Sequence, residues 1–156
     1  MHIRIIWVGK TKNIPIRELS TDYLARIRCM VPCDILETRD LSKARGLRGA
    51  RLTTAEGSEI LKLLPVPGRI VVLEEMGIQL SSVEFAGWFE KEQAGALREV
   101  AFVIGGANGL SAAVSERADL RLSLGKMTWT HEMARALLLE QIYRAFCIIR
   151  NVPYHK

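Results

Sequence analysis

Two short stretches, Arg69–Leu73 (Arg-Ile-Val-Val-Leu) and Val100–Ile104 (Val-Ala-Phe-Val-Ile), are almost unbroken apolar runs. A strand with one wet face alternates apolar and polar residues. A strand that is apolar at nearly every position must be covered on both faces, the condition met in a parallel sheet. Three further β-rich runs, His2–Val8, Asp34–Thr38 and Leu120–Leu124, join these two. Between them lie helical patterns at Ile16–Arg28, within Gly46–Leu64, at Ser81–Ala94 and in a short piece from Ser111. A longer helix, about His131–Arg150, closes the order. Strands alternating with helices predict an α/β fold with a mainly parallel sheet flanked by helices. The 156 residues are expected to form one domain, 1–156, whose core needs no disulfide or metal staple.

Apolar residues at 49% and charged residues at 25% exclude a disordered or fibrous chain. Lys plus Arg is 22 against 17 for Asp plus Glu, a net +5 that permits an anionic partner such as RNA. The segment Arg39–Arg51 gathers Arg39, Lys43, Arg45, Arg48 and Arg51 around Gly46 and Gly49, either as a solvated face or as a contact for RNA backbone. Three cysteines, Cys29, Cys33 and Cys147, are too few and uneven for a disulfide framework and read as reduced thiols. No second Cys/His pair stands at ligand spacing, so no metal is expected. The first residues carry charge within a short apolar run, unlike a signal peptide, and no apolar stretch approaches the ~20 residues of a membrane span. A cytoplasmic protein is the expectation.

In open parallel sheets ligands bind beyond the carboxyl ends of strands. Three such ends carry unusual sequence: Leu73-Glu-Glu-Met-Gly77, Gly105-Gly-Ala-Asn-Gly-Leu-Ser111 and Leu124-Gly-Lys-Met-Thr-Trp-Thr-His131. If the strands are neighbours, the three loops converge on one pocket. The second loop spells neither a P-loop nor Gly-x-Gly-x-x-Gly. Its glycines either let a ligand reach bare backbone or serve only the geometry of a strand-to-helix turn.

The last helix is apolar around nearly its whole circumference, which predicts burial on every side and, in a chain this short, a second copy covering one face. Glu140 and Arg144 stand four apart and form a candidate ion pair. The chain ends Pro153-Tyr-His-Lys156, which supplies a stacking ring, a proton acceptor and a cation.

Phe102-Val-Ile-Gly-Gly-Ala-Asn-Gly-Leu-Ser111, Leu122-Ser-Leu-Gly-Lys-Met-Thr-Trp-Thr-His131, Arg135-x4-Glu140-Gln-Ile-Tyr-Arg144-Ala and Pro153-Tyr-His-Lys156 closely resemble the RlmH family of SPOUT methyltransferases. Val8-Gly9-Lys10, Leu73-x3-Gly77 and Ser81-Ser82 extend the resemblance over the whole chain. The family methylates N3 of a pseudouridine in helix 69 of 23S rRNA. The resemblance therefore implies a C-terminal trefoil knot, S-adenosylmethionine as cofactor, a homodimer with the last helix at its interface, and the assembled ribosome as partner. It also implies cofactor positions at Leu73, Gly105, Leu124, Gly125, Lys126, Met127, Thr128 and Trp129. Four positions depart from the family's usual residue: Glu74 for Asp, Gly125 for Ser, Thr130 for Pro and Asn151 for Gly.

N3 of pseudouridine is a poor nucleophile until its proton leaves, so a base or a stabiliser of developing oxygen charge is needed. On this resemblance His155 is the first candidate base and Tyr154 lies near the target base. Arg144 and Arg135 neutralise oxygen charge or hold phosphate, and His131 orients either partner. The tail is expected over the cofactor loop of the partner subunit. Two other readings are a SPOUT enzyme with a different RNA target and a ribosome-binding factor without turnover.

Overall fold

A computed structural model of the chain describes residues 1–95 and 97–154. The order is β1 (His2–Val8), α1 (Ile14–Arg28), β2 (Cys33–Thr38), α2 (Gly49–Leu61), β3 (Arg69–Gln79), α3 (Ser82–Ala94), β4 (Glu99–Ile104), α4 (Ala112–Ser115), β5 (Leu120–Ser123) and α5 (His131–Ile149). The strands form one sheet in the order β2-β1-β4-β3-β5, with every neighbouring pair parallel.

The apolar runs sit at the centre of this sheet for the reason their composition gives. Successive side chains point to opposite faces. Ile3, Ile5, Trp7, Val71, Val100, Phe102 and Ile104 face one core, shared with Ile27 of α1, Phe85 and Phe89 of α3, and Leu138, Ile142 and Phe146 of α5. Ile6, Val8, Ile70, Val72, Ala101 and Val103 face the other, against Ile60 and Leu64 from α2 and its exit and Val114 of α4. Each large side chain buried in this way contributes about 1.5–3 kcal/mol of hydrophobic stabilisation. Four helices begin at a side-chain cap: Asn13, Ser81, Ser111 and Thr130 each accept a hydrogen bond from a first-turn N–H.

One expectation is revised. β3 does not end at Leu73. Both Leu73 and Ile78 pair with Leu122, so residues 74–77 bulge out and the strand resumes. The presumed strand-end loop is thus an interruption inside a strand. α5 lies on the sheet between α1 and α3, where eight of its nineteen residues are buried within one chain and the other eleven are half-buried.

Arg135 is one of those eight. It is fully buried, donates to the Val8 carbonyl at 2.6 Å and to Thr11 Oγ1 at 2.8 Å, and lies 4.9 Å from the centre of the Trp7 ring. It holds the loop after β1 and is not available to a phosphate.

Candidate active site

The bulge inside β3 and the carboxyl ends of β4 and β5 lie side by side, so residues 74–77 meet the segments that follow β4 and β5. The glycine-rich loop after β4 folds back on itself: the Gly109 N–H donates to the Gly106 carbonyl at 3.0 Å, and Gly109 has φ +79°. A Cβ at Gly105 would lie 2.5 Å from backbone atoms of Gly109. Glycine is therefore required at 105 by the loop's own turn, the plainer of the two roles weighed from sequence, and the same turn leaves Gly105 on the cleft wall.

The loop after β5 is held from both sides. Ser123 Oγ donates to the Gly125 carbonyl at 2.9 Å and accepts from the Gly125 N–H at 3.3 Å. Gly125 has φ +139°, a conformation that suits glycine better than the serine the family commonly carries. Thr128 Oγ1 donates to Glu75 Oε1 at 2.9 Å, tying this loop to the β3 bulge, while Glu74 accepts from Ser115. Gly77 closes the bulge, where a Cβ would come within 2.7 Å of the Leu122 backbone. Thr130, standing where the family commonly has Pro, accepts from the Met133 N–H at 3.2 Å and starts α5.

Together these segments enclose a cleft of about 630 Å³, within the usual range for a small-molecule site. Of the residues singled out as cofactor positions, Leu73, Gly105, Leu124, Gly125, Met127, Thr128 and Trp129 line it; Lys126 is exposed and does not. His131 lines it too, and also lines a smaller cavity of about 140 Å³ on the other side of Gly106–Asn108. Partial burial and the nearby Arg135 lower the His131 pKa, so its imidazole is neutral at physiological pH.

The smaller cavity holds groups that the sequence did not single out. Asp40, hydrogen-bonded by Ser42 and by Lys12, has its pKa drawn down to about 2. Buried Glu56 is shifted upward by desolvation and by Asp40, and its carboxylate abuts Gly106. A lone Glu in an amphipathic helix gave no signal of this.

Arg144 and Tyr154 are elsewhere. Thirteen residues of helix separate Arg144 from His131, about 20 Å along the axis. Arg144 Nε donates to Glu140 Oε1 at 2.9 Å, and its guanidinium lies 4.9 Å from the centre of the Tyr154 ring. The Tyr154 hydroxyl donates to Glu140 at 3.2 Å and stands 3.1 Å from that of Tyr23, while its ring meets Tyr143 edge-on at 4.8 Å. Burial and the Tyr23 hydrogen bond raise the Tyr154 pKa, so the phenol keeps its proton. His155 lies outside the described residues. Within one chain, then, His131 and the Tyr154–Arg144 pair are not brought together.

Residues 1–155 match the family described as "Predicted SPOUT methyltransferase". Proteins named ribosomal RNA large subunit methyltransferase H from Geobacter sulfurreducens and Trichlorobacter lovleyi are 42% and 43% identical to the chain over 155 residues, 99% of both sequences in each case. The chain belongs to the SPOUT methyltransferases. Two solved structures share the SPOUT-like fold of this methyltransferase at low identity. A probable methylase family protein from Haemophilus influenzae has a TM-score of 0.53 at 15% identity, covering 99% of this chain and 70% of that one. A probable methyltransferase from Bordetella pertussis has a TM-score of 0.56 at 14% identity, covering 93% and 96%. Among the described residues of this SPOUT methyltransferase, no helix is long and apolar enough to cross a membrane, and no three His, Cys, Asp or Glu side chains cluster as metal ligands.

Proposed function

We propose that the chain methylates N3 of a pseudouridine in helix 69 of 23S rRNA, acting on the assembled ribosome in the cytoplasm, with S-adenosylmethionine as methyl donor and as a homodimer. The observation that carries this reading is the cleft at the carboxyl edge of the sheet, in a chain about 40% identical along its whole length to proteins named for large-subunit rRNA methylation. The lining fits the donor. Leu73, Ile104, Leu122 and Leu124 offer apolar walls, the loop 124–129 offers main-chain groups to an adenine edge, and Glu74 and Glu75 bring negative charge towards a sulfonium. When bound, that sulfonium supplies an electrophilic methyl group.

What the chain itself must supply is alignment and a deprotonated N3. Neutral His131 at the cleft is a candidate to take the N3 proton, and His155 remains a candidate for the same task. Tyr154, kept protonated, and Arg144, kept cationic beside Glu140, suit the developing charge on the flanking carbonyl oxygens. They can do so only if a second copy lays its tail over the cleft. The knotted path implied by the family is consistent with β4 lying between β1 and β3 and with α5 packed across α1 and α3. Mass mapping of rRNA from a strain lacking this chain tests the reading. One methyl group should vanish from that pseudouridine and return with the wild-type chain. Loss from a different nucleotide would favour another RNA target, and an unchanged rRNA would overturn the reading.

A further inference from the structure

The chain's positive charge is not spread over its surface. Segment 39–51 holds five basic residues and one acidic, a net +4 of the chain's +5. Arg39, Lys43, Arg45, Arg48 and Arg51 are all exposed, and none forms an ion pair with a described carboxylate. The one acid among them, Asp40, is taken by Lys12 at 3.1 Å. Of the eleven arginines elsewhere, six are paired with described carboxylates, among them Arg4 with Glu99, Arg26 with Asp22, Arg28 with Asp34, and Arg69 with both Glu92 and Asp119, whereas in 39–51 none is. Like charges crowded without partners repel one another in the folded state, a cost that an anionic ligand removes. Nor does the segment pack down. Gly46 and Gly49, at φ +81° and +50°, have open space where a side chain would stand.

The position of the segment adds to its composition. It leaves β2 at the carboxyl edge of the sheet, the edge that bears the cleft. Lys10, Lys12 and Ser42 line the smaller cavity from this side, and Gly106, Asn108 and His131 line it from the cleft side. The same cavity carries the carboxylates of Asp40, Glu56 and Glu132, so a polyanion lying on 39–51 meets the exposed Lys10 beside it and not the cavity's interior. An acidic peptide would meet the same charge, but a chain of phosphates spaced along a backbone matches a row of separated cations and the proposed methyl acceptor.

We infer that segment 39–51, with Lys10, is a phosphate-binding clamp that docks the rRNA backbone beside the cleft. The inference rests on the proposed rRNA substrate. It is tested with a variant carrying Lys43→Gln, Arg45→Gln and Arg51→Gln, which leaves Arg48, bonded to the Ser42 and Leu47 carbonyls, in place. A charge-matched control carries Lys91→Gln, Arg98→Gln and Arg117→Gln, exposed positions at the amino edge of the sheet. Binding of each full-length chain to purified ribosomes is measured across a salt series, with S-adenosylmethionine calorimetry to report the cleft.

The clamp variant should keep cofactor affinity yet bind ribosomes roughly tenfold or more weakly, and the slope of log affinity against log salt should fall by about 2 to 3, near 0.7–0.9 per phosphate lost. The control should keep the parental slope. An equal loss in both variants, or a loss with no change of slope, would overturn the clamp. A wild-type chain that binds cofactor but no ribosomes would overturn the functional reading as well.

Discussion

At its amino end α5 opens into the cleft, whereas at its carboxyl end the same helix is closed in by its own neighbours. His131 borders two cavities, and Arg135, one turn along, is spent on the Val8 carbonyl and Thr11. Thirteen residues on, Arg144, Glu140, Tyr154 and Tyr23 satisfy one another in a chain of hydrogen bonds, with Tyr143 packed against Tyr154. The open end has room for a ligand and a neutral imidazole. The closed end has a proton-keeping phenol and a cation, packed against each other. Each has what the other lacks, and a helix is too rigid to bring them together. A second copy is the economical way to join them.

The contrast is broken most severely at Gly105. A valine there must displace the Gly109 backbone, which cannot yield as a side chain would. Gly105→Val should lower S-adenosylmethionine affinity about 10²-fold or more, the scale of an ångström-sized misplacement in a site, while far-UV circular dichroism stays near wild type. Unchanged calorimetric affinity would mean the cleft is not the cofactor site.

His131→Asn should keep cofactor binding and slow single-turnover methylation of ribosomes by about 10²-fold, typical for loss of a general base. It should also alter the acid side of stability. The wild-type histidine binds its proton less readily folded than unfolded, so it costs stability as pH falls from the unfolded value of about 6.5 through the lower folded value. Thermal melts should show the variant gaining on wild type over that interval. A constant difference in Tm would place His131 in water.

Tyr154→Phe probes the closed end and should have the smallest effect. It removes the hydrogen bonds to Glu140 and Tyr23 but keeps the ring on Tyr143, costing about 1 kcal/mol of stability. Methylation should fall with cofactor affinity unchanged. Equal loss of both would mean the tail acts on the cofactor loop.

Not every part of this was equally legible in the chain. The sheet could be read because strands buried on both faces must be apolar throughout, and Phe102 and Val103 face different cores. The convergence of the loops after β4 and β5 followed from strands ending together, and the third segment joins them as a bulge inside β3. The β3 bulge could not be read, because Ile78 re-pairs with β5 only once Leu122 is beside it. Gly77 was the available hint. Arg135 looked like a group for anions because charge in an apolar helix invites that reading, yet its partners belong to β1 and the loop after it, more than a hundred residues away. Glu56 carried no local signal. The separation of Arg144 and Tyr154 from His131 was implicit in helix length alone.

Mixing two inactive chains tests the shared site most directly. Gly105→Val disables the cleft and leaves the tail; a tail variant, Tyr154→Ala with His155→Ala, leaves the cleft. Unfolding and refolding them together in equal amounts should form mixed dimers in which one of two sites is wholly wild type, restoring about a quarter of the parental methylation rate if pairing is random and two-fold symmetric. A mixture no more active than either variant alone, from chains shown to exchange, would contradict a site shared between two copies.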